Sequence, residues 1–255
     1  MFHPEEPRQY HAPADILQGR VIAITGAGTG IGRAVALSAA LHGAQVVLIG
    51  RTVNRLEAVH AEIRAQGNPE ASIAPLDLER ALAGNYDALA AAITERYGRL
   101  DGLLHNAAQL GTLAPLEHTQ MASWCRVLHV NLTAAFALTQ VLLPALRAAP
   151  EASVIFTSSS VGRRGRANWG AYAVSKFGVE GLSQVLADEL RGTSAIRVNA
   201  INPGATRTTM RRQAFPGEHA ETLPEPATLM NAYLWLLGPA SRGISGQSLD
   251  CQAAR

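Results

Sequence analysis

Apolar positions along this chain fall into short continuous runs separated by longer stretches of helical period. The first run, 21–24, leads into a glycine-rich turn and a helical pattern through about residue 42. A second run at 45–49 is followed by helix over 53–66. The third, 72–76, contains Pro75, which argues against a central strand. A helical pattern at 86–97 and a fourth run at 100–105 come next. One long helix, starting near Thr119 and holding Trp124 and Asn131, reaches about Leu146. The fifth run is 153–157, and the helix bearing Tyr172 and Lys176 ends near Gly192. A sixth run at 196–201, a helix near 227–237 and an edge strand within 247–251 complete the pattern. Continuous apolar runs alternating with helices mark strands buried on both faces, and so a parallel sheet. With right-handed crossovers the expectation is α/β, a single Rossmann-like doubly wound sheet flanked by helices on both faces.

No Pro/Gly linker interrupts 17–255, which reads as one domain. Residues 1–16, acidic and proline-bearing without an apolar core, read as a flexible N-terminal arm and not as a signal peptide. The hydrophobic fraction of 47% allows a large core, and a net charge of +2 gives no bulk field toward nucleic acid or a membrane. The longest apolar stretch, 132–146, is broken by Thr133, Thr139, Gln140 and Pro144 and reads as too short and polar to span a bilayer. Cys125 and Cys251 have no metal-ligand spacing and fit reduced thiols of a cytoplasmic protein. No metal-ligand cluster is visible.

The first strand runs straight into Thr25-Gly-Ala-Gly-Thr-Gly-Ile-Gly32. Gly26, Gly28, Thr29, Gly30, Ile31 and Gly32 form a turn that approaches a pyrophosphate, with the amides of the next helix facing the anion. The other reading is a glycine turn without a ligand. At the end of the second strand stands Arg51, and no acid occurs from 45 to 55. An acid there would grip a ribose hydroxyl, whereas arginine suits a 2′-phosphate, so NADP(H) is favoured over NAD(H). An exposed arginine at a helix start is the alternative.

Only one of the 22 basic residues is a lysine, and it is Lys176. Four residues from Tyr172, it shares a helix face with that phenol. An ammonium there favours the ionised phenol and equips Tyr172 as an acid/base below the usual tyrosine range. A lone surface lysine beside a half-buried tyrosine is the competing reading.

These motifs together resemble the short-chain dehydrogenase/reductase family over residues 17–251. The marks are Thr25-Gly-x3-Gly-x-Gly32, Asp77, His105-Asn-Ala-Ala108, Asn131, Ser159, Tyr172-x3-Lys176 and Asn202-Pro-Gly204, with Ser159 thirteen residues before Tyr172. Three stretches, beginning at Phe156, Gly165 and Tyr233, are similar to YciK-like bacterial oxidoreductases. The resemblance implies hydride transfer between nicotinamide and a carbonyl or alcohol. Tyr172 would be the acid/base and Ser159 the hydrogen-bond donor to the substrate oxygen. Lys176 would hold the nicotinamide ribose and lower the tyrosine pKa, and Asn131 would support a proton-feeding water chain. Asp77 and Leu78 would meet adenine, Asn106 and Ala107 the adenosine side, and Pro203, Gly204 and Thr208 the nicotinamide end. A homodimer or homotetramer is implied, through the helices of Asn131 and Tyr172. The family's Asn-Asn-Ala-Gly is His105-Asn-Ala-Ala here, and a buried, satisfied histidine is expected at position 105. Reduction of 3-oxoacyl thioesters and a non-catalytic cofactor-binding regulator remain as alternatives.

Arg163, Arg164 and Arg166 precede Tyr172, and Arg207, Arg211 and Arg212 flank Thr208. No acid lies within 152–179 or 191–217. The two segments are expected to converge as an unpaired basic rim for an anionic small-molecule substrate, with Trp169 lining the mouth or capping its helix. A solvated loop is the alternative.

Overall fold

The computed structural model describes residues 6–67 and 71–253. Seven strands form one sheet: β1 (Val21–Thr25), β2 (Gln45–Gly50), β3 (Ala71–Pro75), β4 (Gly102–His105), β5 (Ala152–Thr157), β6 (Ile196–Asn202) and β7 (Ser248–Asp250). Every residue of β1, β4 and β5 is buried, as a central strand covered on both faces requires. The order is β3-β2-β1-β4-β5-β6-β7, and every neighbouring pair is parallel. In register, Ile24 faces Leu48 on one side and Leu104 on the other. Pro75 ends β3 at the sheet edge, where a missing amide leaves no ladder bond unmade.

The helices are α1 (Glu6–Gln9), α2 (Gly30–Leu41), α3 (Val53–Ala65), α4 (Ala83–Tyr97), α5 (Met121–Leu128), α6 (Ala134–Arg147), α7 (Gly170–Leu190), α8 (Thr209–Ala214) and α9 (Met230–Leu237). Alternation along β1 divides the core in two. Ile22 and Ile24 pack with α2, α3 and α9, whereas Val21 and Ala23 pack with α4, α6 and α7. Helix α9 is apolar but for Asn231 and almost wholly buried, so it serves as a wall of the first core. Strand order reverses between β1 and β4, so the chain leaves them toward opposite faces and opens a crevice at their carboxyl ends.

Three expectations change. Residues 1–5 lie outside the described residues, but 6–16 do not form a free arm. Tyr10, Ala12 and Ile16 pack on the first core, α1 lies against α9, and Leu17 is fully buried. The long helix is interrupted by a π-helical turn, His129–Thr133, between α5 and α6. The combined helix, Met121–Arg147, has 27 residues and is long and apolar enough to cross a membrane by length and composition, unlike the shorter stretch read from sequence. Here it lies against α4, α7 and the sheet.

Candidate active site

Thr25 ends β1 and fixes the crevice floor. Its hydroxyl donates to Leu104 O at 3.3 Å and accepts from the amides of Asn106 at 2.9 Å and Ala107 at 3.1 Å. This ties the ends of β1 and β4 together at the switch point. The glycine turn then passes very close to them. A Cβ on Gly32 would lie 2.3 Å from Gly26 O, and one on Gly26, whose φ is +67°, would lie 3.0 Å from Ala107 Cα. Only glycine permits this closeness, which leaves the turn's backbone and the N-terminus of α2 facing the crevice.

The crevice is a cleft of about 830 Å³ running from β2 to α8. Gly26, Gly28, Thr29, Gly30 and Ile31 line its middle. Arg51, Asp77, Leu78, Asn106 and Ala107 line one end, and Pro203, Gly204 and Thr208 lie toward the other. Ser159, Arg163, Arg166, Trp169, Tyr172, Lys176 and Arg211 complete that other end. Gly32 and Asn131 do not line it.

Asn131 sits in the π-turn, a distortion that recurs at functional sites. Its Nδ2 donates to Gln109 O and to Ser175 Oγ, each at 2.9 Å, and its Oδ1 accepts from Gln109 N at 2.7 Å. Ser175 Oγ in turn donates to Tyr172 O at 2.7 Å. One buried amide thus sets the loop after β4 against the helix turn that carries Tyr172.

Helix α7 presents Tyr172 and Lys176 on one face, and the turn after β5 brings Ser159 to them. A Cβ on Gly162 would lie 2.8 Å from Lys176 Cβ, so the turn is pressed onto α7. Ser159 and Tyr172 line the same end of the cleft, and the Ser159 hydroxyl favours the ionised phenol. Lys176 Nζ donates to Thr157 O at 2.7 Å and lies 5.5 Å from the Tyr172 ring centre. Tyr172 is 9% exposed and Lys176 only 3%. Burial pushes the phenol up to about 12, with the Ser159 hydroxyl opposing. It also brings the ammonium down to about 8, against the attraction of Glu180. The expected lowering of the tyrosine pKa is therefore corrected. Desolvation of both groups outweighs their proximity.

His105 is buried at the end of β4. Its Nε2 is hydrogen-bonded to Thr139 Oγ1 at 2.7 Å, its ring stacks on Phe156, and burial holds its pKa down at about 3. It is a neutral core residue.

A family model described as short chain dehydrogenase matches residues 20–219. The chain belongs to the short chain dehydrogenase family. Among curated relatives of this family, the uncharacterized oxidoreductase YciK of Escherichia coli K12 is 47% identical over 96% of this chain and 97% of its own. A solved short chain dehydrogenase of Pseudomonas syringae superposes with a TM-score of 0.95 at 53% identity, covering 96% of this chain and 99% of that one. A short chain dehydrogenase of Shigella flexneri 2a, solved in complex with NADP, gives 0.90 at 48% identity, covering 94% and 100%. As a short chain dehydrogenase, the chain is an oxidoreductase.

The rim of this short chain dehydrogenase is not the unpaired basic cluster expected. Arg163 Nη1 binds both Asp250 oxygens, at 2.9 and 2.8 Å, and its Nε reaches Ser248 and Glu180. Arg211 grips Glu218 through two bonds of 2.6 Å, and Arg207 pairs with Glu225 at 3.0 Å. The acids arrive from outside the two acid-free windows. Arg164 and Arg212 are exposed and do not line the cleft. Arg166 alone of the six lines the cleft with no carboxylate paired to it among the described residues. Trp169 both precedes the first turn of α7 and lines the mouth.

Sequence reasoning missed Arg55, Glu79, Gln252 and Phe215, all in the cleft wall. Arg55 lies four residues beyond Arg51, in the first turn of α3, a spacing that could have signalled it. Glu79 accepts from Gln109 Nε2 at 2.7 Å and lies 3.4 Å from Arg126 and 3.9 Å from Arg51. Gln252 Nε2 stitches the loop after β6 by donating to Pro203 O and Ala205 O at 2.7 and 3.0 Å. Phe215 and Gln252 carry no sequence mark.

Proposed function

We propose that this protein is an NADP(H)-dependent oxidoreductase that moves a hydride between nicotinamide and a carbonyl or alcohol. The carrying observation is that Ser159, Tyr172 and Lys176 meet at one end of a cleft whose middle is the close glycine turn and whose other end carries Arg51 and Arg55. The residues fit a dinucleotide phosphate. The turn is a cradle that a Cβ would fill, and the NADP complex of the Shigella relative supports the same cofactor here. Gly26, Gly28, Thr29, Gly30 and Ile31 would hold the pyrophosphate, with Gly32 allowing their approach. Asp77, Leu78, Asn106 and Ala107 would hold the adenosine, and Pro203, Gly204 and Thr208 the nicotinamide end. Arg51 and Arg55 would take the 2′-phosphate. Glu79 is an acid at that end, yet Arg126 and Gln109 already engage it, so the cations prevail.

When bound, NADPH supplies the hydride and NADP⁺ accepts it. Ser159 and Tyr172 donate hydrogen bonds to the substrate oxygen, where charge develops during reduction. Tyr172 then gives up its phenolic proton, and in the other direction the phenolate takes it back. Lys176, held on Thr157 O, places a positive charge beside that phenolate. Asn131 fixes Tyr172 through Ser175 and the loop of Gln109. A small-molecule substrate, a cytoplasmic setting and a homo-oligomer form part of this reading.

Tyr172→Phe tests it, because the ring stays and the proton goes. NADPH-linked carbonyl reduction should fall at least a thousandfold, on the order of a lost general acid plus a lost oxyanion donor. NADPH affinity, read by fluorescence titration, should change no more than about threefold, since the phosphate contacts lie elsewhere. A Phe variant that turns over at the wild-type rate defeats the assignment.

A further inference from the structure

We propose that the cleft mouth recognises a carbonyl compound bearing a carboxylate at the far end of an apolar body, and that Arg166 reads the carboxylate. This rests on the oxidoreductase reading, because it places the carbonyl at Tyr172.

The path between the two ends is aromatic. Trp169 meets Tyr172 edge-on with ring centres 5.7 Å apart, and meets Phe215 at 5.6 Å. The Arg166 guanidinium lies 5.7 Å from the Trp169 ring centre and 5.3 Å from that of Phe215. The cation thus stands two aromatic contacts from the phenol. Leu110 and Met210 pack on the cluster of Val161, Tyr172 and Ala173 and add apolar surface to the cleft wall. A polar or very small carbonyl compound would leave that wall wet. A ring or a short acyl chain would cover it and be held by area burial.

Charge then selects among the arginines. The guanidinium groups of Arg163 and Arg211 are already satisfied by Asp250 and Glu218. An incoming anion would have to break an ion pair to use either. Arg166 has no such partner among the described residues. Lying over two rings restrains its guanidinium, and its N–H donors have no hydrogen-bond partner among the described residues. A side chain held in place this way loses little freedom on binding and can meet a carboxylate through two parallel hydrogen bonds. The Trp169 and Phe215 faces shield that contact from water on one side, which strengthens it.

The test uses a panel of oxo acids, from 4-oxocyclohexanecarboxylate to linear ω-oxo acids, each with its methyl ester. Isothermal titration into the NADP⁺-loaded protein gives affinity, and NADPH oxidation gives kcat/KM. At least one acid should bind about tenfold more tightly than its ester, the size of one charged hydrogen-bonded contact. The advantage should shrink as salt rises. Arg166→Gln should remove it while leaving ester affinity within about twofold, and Arg164→Ala should leave it intact. No acid outbinding its ester, or an advantage that survives Arg166→Gln, overturns the proposal. Binding and turnover are read separately. Esters reduced without an acid preference count against Arg166 alone, and acids bound through Arg166 but never reduced count against the oxidoreductase reading.

Discussion

Tyr172 and Lys176 carry opposite consequences of the same burial. The phenol, pushed up to about 12, keeps its proton through the neutral range. The ammonium, brought down to about 8, loses its own within reach of ordinary buffers. In the proposed reaction, reduction would use the neutral phenol and oxidation the phenolate, so the two directions should respond differently to pH. For reduction, kcat/KM should be flat at neutral pH and fall as Lys176 discharges near about 8. For oxidation it should climb with pH across the flat part of the reduction profile, because each step upward enriches the phenolate. Initial rates in both directions against pH check this, and a pH-independent oxidation rate contradicts it. At the adenosine end, Arg51 lies 3.9 Å from Glu79 and Arg55 lines the same wall, so the preference is a difference between charges and not a single contact. Arg51→Ala should weaken NADPH binding about tenfold and NADH binding by less than twofold, as loss of one charged phosphate contact predicts. Equal losses for both cofactors would remove Arg51 from the 2′-phosphate site. The sequence made Tyr172, Lys176 and Arg51 legible because each belongs to a short local motif, and it left Arg55 and Glu79 unmarked. It misled on the arginine rim because pairing is not local: Asp250 reaches Arg163 across the sheet edge, and Glu218 lies one residue beyond the acid-free window.

Elements convert those residues into a site through two close approaches. One is the press of the turn after β5, Ser160–Gly162, onto α7 at Lys176. Added bulk there must part the two elements, since the nearest atoms include α7 backbone at 2.9 Å. Gly162→Ala should therefore cost about 1–3 kcal/mol in stability, typical of overpacking. It should also lower kcat by tenfold or more by drawing Ser159 from Tyr172, since about an ångström of misplacement can cost that much. Denaturant unfolding and steady-state rates would show both effects; an Ala variant with unchanged kcat would mean that the turn tolerates separation. The other close approach is the π-turn at Asn131, which lets one amide bond both a loop and α7. Strands and long helices were readable from hydrophobic runs and helical period. The π-turn was not, because its five residues, His129–Thr133, carry no composition that separates them from ordinary α-helix. Helix α8 was not, because Thr209–Ala214 is six residues with none buried and so has no period to detect. The docking of Ile16 against Gly238 likewise joins positions that share no local pattern.

At the scale of the molecule, one face has no use within a single chain. Val174, Phe177 and Val185 are exposed on α7, and Phe136 is exposed on α6. Positions 174, 177, 181 and 185 follow helical spacing, so they form a stripe on α7 turned away from the buried Tyr172 and Lys176. In the middle of that stripe Gly181 has no heavy atom within 4 Å of where a Cβ would sit, which lets another backbone come close. A charged or polar stripe would suit solvent; an apolar one with a glycine gap suits a second copy of the same helix, and self-complementary contact of that kind closes as a twofold dimer. The consequence reaches the candidate site, because α7 carries Tyr172 and Lys176 on its other face and would be stiffened by the contact. Phe177→Glu should place two like charges near the axis and shift the assembly to monomers at micromolar concentration, read by light scattering. The monomer should retain NADPH binding but show a lower kcat, since the phosphate cradle belongs to one chain whereas the firmness of α7 belongs to the pair. A wild-type protein that is monomeric throughout that concentration range would refute the dimer, and a Phe177→Glu variant that remains oligomeric would move the interface off this stripe.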